Sequence, residues 1–121
     1  MSFKTQLESM LKQVDGAIAC TVMGFDGISV ESHPSSVAAD GLDLNDTWVE
    51  YANLLTQARA SEDQLKTGHI SEVMLSTERV VTIIRPINQE YFVAMGLKPT
   101  GNIGKARYVL RVGTPKIKKE L

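Results

Sequence analysis

The chain has 121 residues, 43% hydrophobic and 22% charged, with a formal net charge of -1, which suits one domain spanning residues 1-121 and excludes a polycation that binds nucleic acid by bulk attraction. No apolar run reaches the roughly 18 residues of a membrane span, the N-terminus lacks a signal-peptide core, and Cys20 stands alone, so it forms no internal disulfide. The expectation is a cytoplasmic domain without membrane insertion.

Phe3, Leu7, Met10, Leu11 and Val14 form one helical stripe, with Ser2 as N-cap and Asp15-Gly16 as its stop. Ala17 to Met23 and Ile28 to Glu31 read as strands around the link Gly24-Phe25-Asp26-Gly27, a β-hairpin. His33 to Leu42 has loop composition. Asp43 is the next N-cap, and Leu44, Trp48, Tyr51, Ala52, Leu55, Ala58 and Leu65 make a stripe about six turns long that Gly68 ends. Val49 and Leu54 widen this stripe beyond what one sheet face needs, which points to a second packing partner. Ile70–Ser76, Val80–Ile87 and Tyr91–Leu97 form a meander with tight links. Asn102 caps a last helix from Ile103 to about Val112, closed by Thr114-Pro115. The order α-β-β-α-β-β-β-α predicts an α/β protein of the α+β type, a five-stranded antiparallel sheet with helices on both faces.

Chemistry is sparse. There is no Gly-x-x-x-x-Gly-Lys-Ser/Thr loop, and Gly101-Asn102-Ile103-Gly104 is equally well a turn and cap. His33 and His69 lack ligand spacing, Cys20 reads as a small buried hydrophobe, and Ser35-Ser36 and Ser71 have no nucleophile context. Arg79 sits in a tight turn, and Arg85 shares a strand face with Val81 and Ile83; each reads first as an ordinary charge and second as an arginine acting on a GTPase. No cofactor, metal or catalytic residue is expected, so an enzyme is disfavoured.

The helix order, the hairpin with Gly24-Phe25-Asp26-Gly27-Ile28, the long helix and Gly101-Asn102-Ile103-Gly104-Lys105-Ala106-Arg107 resemble the Roadblock/LC7 family over almost the whole chain. The stretch from Asp15-Gly16-Ala17 through Gly27-Ile28-Ser29-Val30, together with Trp48-Val49-Glu50-Tyr51-Ala52-Asn53-Leu54-Leu55, resembles the short members of its bacterial Mgl polarity group. The resemblance implies dimers in which the long helix and the third strand pair across a two-fold axis. It also implies scaffolding or regulation of Ras-like GTPases.

Three surfaces follow. Phe25, with Asp26 and Ile28, is either an aromatic anchor held out on a stiff link for a partner or a ring folded back over a helix end. On the first reading, Phe25→Ala abolishes partner binding and leaves a folded dimer. Trp48, Tyr51 and Leu55 with Ile70, Val73 and Met74 are the expected homodimer interface, Trp48, Tyr51 and Leu55 also being able to cover the sheet. Residues 105–121 hold six bases against one acid. Lys105, Arg107, Arg111 and Lys116 there are either a docking surface for an acidic partner or a solvated helix end. The functional expectation is a non-enzymatic homodimeric adaptor in a Ras-like GTPase-controlled polarity or motility system. It would bind a Roadblock-type GTPase regulator and, as a further partner, the GTPase module. The alternatives are a direct GTPase-activating protein and a small-molecule sensory domain.

Overall fold

A computed structural model describes residues 3–34, 38–39 and 42–121. The chain runs α1 (Phe3–Lys12), β1 (Ala17–Gly24), β2 (Ser29–His33), β3 (Ala38–Ala39), β4 (Leu42–Asp43), α2 (Leu44–Ala60), α3 (Glu62–Leu65), β5 (Val73–Ser76), β6 (Val81–Pro86), β7 (Tyr91–Leu97) and α4 (Ile103–Lys118). Five strands form one antiparallel sheet in the order β2-β1-β7-β6-β5, leaving β2 and β5 as its edges. β3 and β4 make a separate two-residue ladder inside the stretch expected to be loop. The expected Ser2 cap and the Ser35-Ser36 pair lie outside the described residues.

Strand alternation divides the core in two. Cys20, Val22, Val81, Ile83, Val93 and Met95 face α1 and α4, where Leu7, Met10, Leu110 and Ile117 cover them. Ala19, Met23, Ile84, Phe92 and Ala94 face α2, which covers them with Leu44, Trp48, Ala52 and Leu55. Gly96 lets α2 approach: a Cβ there would lie 3.0 Å from Leu44 Cδ1 and 3.2 Å from Trp48 Cζ2. The Trp48 indole is fully buried, and its N–H donates to the buried Thr82 hydroxyl at 3.3 Å, so the polar tip is paired.

The caps at Asp43 and Asn102 stand as expected. The Asp43 carboxylate accepts from the backbone of Asn45 and Asp46, and Asn102 Oδ1 accepts from Lys105 N at 3.0 Å. Asp43→Ala is therefore expected to lower stability by about 1 kcal/mol, measured as a shift in urea midpoint with unchanged slope.

Four boundaries differ from expectation. The long helix breaks at Ser61, and Lys66 turns left-handed at φ 56°, so Leu65 ends 65% exposed instead of joining the stripe. The Glu62 carboxylate causes the local fold-back, meeting His69 Nδ1 at 2.6 Å and the Ile70 N–H at 3.5 Å. That use of His69 and Ile70 delays β5 to Val73. β2 runs two residues further than expected, to His33, where it still pairs with Cys20 of β1. The last helix runs past Pro115 to Lys118, because Ile117 is buried against the α1-side core and the Thr114 hydroxyl bonds Leu110 O at 2.6 Å. One missing N–H on the exposed side costs less than removing Ile117 from that core.

Candidate protein-docking surfaces

The β1–β2 link is a built turn. Gly24 N donates to Ile28 O and Gly27 N to Gly24 O, both at 2.9 Å, while Asp26 Oδ1 accepts from the Ile28 N–H at 3.0 Å. Gly27, at φ +87°, supplies the left-handed residue the turn requires. Asp26 is thus committed on one oxygen to the turn, and its exposed carboxylate still faces outward. Ile28 projects 67% exposed beside it, followed by Val30 on the edge strand.

Phe25 does not stand out from this link. Its ring lies half-buried against Phe92, with centroids 5.2 Å apart in an edge-to-face pair. The Arg59 guanidinium covers it at 4.0 Å, and the same group donates to Gln89 Oε1 at 2.7 Å and to Gln89 O at 3.3 Å. Of the two readings of Phe25, the fold-back one describes its ring. Phe25, at the start of the turn, is thus anchored between Phe92 and Arg59, while Asp26 and Ile28 remain exposed. Sequence reasoning missed Arg59 because, apart from Glu62 at 3.8 Å, the groups it meets here, Phe25 and Gln89, lie 30 or more positions away in the chain.

The expected homodimer set divides. Trp48 and Leu55 are buried in the chain's own core and present no side chain to a second copy. Tyr51, Ile70 and Val73 are half-buried, and Met74 is 51% exposed on the edge strand β5. On α2 the outward residue is Leu54, also exposed. It lies one position before the buried Leu55, about 100° round the helix. The free edge of β5 and, on the α2 side of the sheet, Tyr51 and Leu54 are therefore available for pairing, whereas Met74, opposite Ile83, points to the α4 side.

The basic set divides too. Arg107 closes a two-toothed pair with Glu72, at 2.9 and 2.8 Å, and the guanidinium holds the Glu72 carboxyl below the usual range. Lys105 and Arg111 flank the half-exposed Tyr108 ring at 5.6 and 5.8 Å, and Lys116 is exposed a turn further on. Arg107 is thus a structural tie between α4 and the segment leading into β5, and Lys105, Arg111 and Lys116 are the outward cations.

The remaining titratable groups carry little chemistry. Cys20 is fully buried, and desolvation pushes its thiol up to about 12, far from a reactive thiolate. Glu62 is held low first by its hydrogen bond from His69. Among the described residues, no three His, Cys, Asp or Glu side chains gather as a metal-ligand set, and no helix is long and apolar enough to cross a membrane.

This sheet order, with α1 and α4 on one face and α2 on the other, defines a Roadblock/LC7 fold. A Roadblock/LC7 domain from Streptomyces avermitilis shares it at a TM-score of 0.82 and 8% identity, over 99% of this chain and 98% of that one. Myxococcus xanthus MglB matches at 0.77 and 8% identity, over 98% and 96% of the two chains. No protein-family model and no curated protein matches the sequence. MglC from Myxococcus xanthus is 55% identical over 100% of both chains, with a TM-score of 0.70. The chain belongs to the Roadblock/LC7 family and is an MglC-like member of it.

Proposed function

We propose that the chain is a non-enzymatic adaptor in a bacterial Mgl-type polarity system, working as a homodimer that docks a Roadblock-type, MglB-like GTPase regulator. The supporting observation is the hairpin tip: Ile28 and Asp26 are exposed on a turn fixed by three hydrogen bonds, next to a Phe25 ring packed between Phe92 and Arg59. A side-chain pair held this rigidly loses little conformational freedom on binding, so its contact energy is retained as affinity. Likeness to MglC and MglB directs the choice of system. The unpaired β5 edge and the outward face of α2 are the dimerisation surface, and a two-fold axis there gives each dimer two hairpin tips. Two tips raise avidity for a regulator that is itself multimeric.

Size-exclusion chromatography with light scattering tests the reading. Alone, the protein should elute at about twice its 13.3 kDa chain mass, and a mixture with an MglB-like regulator should give a larger species containing both. A stable monomer overturns the shared-edge dimer, and a dimer that ignores the regulator overturns the adaptor.

A further inference from the structure

The α4–β5 side of the molecule holds an electrostatic arrangement that the docking function does not use. Arg85 leaves β6 on the face that Val81 and Ile83 turn towards α4, and Glu72 lies opposite it, one position before the paired Val73–Ile84. Arg107 and Arg111, one helical turn apart on α4, complete a cleft with Tyr108 at its rim. Three guanidiniums therefore surround one carboxylate. Glu72 is already committed to the fork of Arg107. Arg85 is left with a buried Nε that has no hydrogen-bond partner, and Arg111 with only the distant face of Tyr108.

A buried guanidinium nitrogen without an acceptor is costly, and three like charges around one anion repel one another. A second anion in the cleft would relieve the repulsion. The net charge of the cleft, three arginines against Glu72, matches that of a phosphate near its dianionic form. A tetrahedral oxyanion also offers oxygens to donors on opposite walls, which a second planar carboxylate does less well. We propose that this cleft is a phosphate site, in which Arg85 from the sheet and Arg111 from α4 hold a phosphoryl group beside the closed Glu72–Arg107 pair. Tyr108, half-exposed and flanked by Lys105 and Arg111, forms a wall for whatever carries the phosphate.

The site is read directly from the arginine Nε–Hε signals of the full-length protein by NMR. Sodium phosphate, added at constant ionic strength, should shift Arg85 and Arg111 along a saturating curve, with Arg59 unmoved. Arg111→Gln should weaken that binding at least ~10-fold, the scale of one charge-assisted hydrogen bond. Because Arg111 is exposed, this variant keeps the test intact if Arg85→Gln disturbs the sheet. Phenyl phosphate separates the sources. Tighter binding than inorganic phosphate, with a shift at the Tyr108 ring, supports a phosphate ester; equal affinity supports the free anion. A linear drift common to all arginines, or an equal response to sodium acetate, overturns the proposal.

Discussion

Trp48→Ala is expected to remove about 3–5 kcal/mol of folding stability, the range for truncating a large fully buried aromatic. The indole fills the space between α2 and the sheet over Gly96, where its truncation opens a cavity. Truncation also leaves the buried Thr82 hydroxyl without the indole N–H. Trp48→Phe separates the two contributions. It keeps an aromatic ring and removes the donor, so about 1–2 kcal/mol is expected for the shrunken ring and the broken hydrogen bond together. Urea unfolding at fixed protein concentration measures both variants. Loss of self-association at unchanged stability would return Trp48 to the dimer face where the sequence pattern first put it.

That ambiguity marks the limit of what periodicity reveals. Trp48, Leu55 and Leu54 all belong to a wide apolar helix face, and sequence alone predicts that two partners share it. Which residue meets which partner depends on helix rotation, and that is set by contacts such as Gly96 beneath the indole. Local signals fared better where their chemistry is local. Asp43 and Asn102 act as the caps their positions promise, and the hairpin glycines make the turn their spacing predicts. Errors came where a distant contact outweighed a local rule. Pro115 marks a helix end by sequence, yet burial of Ile117 in the core carries the helix past it to Lys118. Leu65 fits a helical stripe, yet Glu62 folds the chain back onto His69. The Arg85–Glu72–Arg107–Arg111 cleft was invisible for the same reason, since only the sheet register brings residues 72 and 85 opposite one another beneath α4.

Ile28→Asp should abolish regulator binding, a loss of at least ~30-fold in affinity for an anchor at the centre of a small interface. Its folding stability should stay within about 0.5 kcal/mol of the parent, because the side chain is 67% exposed and removes no core contact. Phe25→Ala behaves differently. Its ring packs on Phe92 and lies under Arg59, so truncation should lower stability by roughly 1–2 kcal/mol as well as loosening the tip. Loss of binding in Phe25→Ala alone therefore would not show direct contact with a partner. The pair of variants resolves this when light-scattering titration and urea unfolding are measured together. Binding lost in Ile28→Asp with a parental midpoint assigns the contact to the tip and gives Phe25 the role of support. Binding retained in Ile28→Asp, with loss only in the destabilised Phe25→Ala, would remove the tip from the interface and leave the adaptor reading without its docking site.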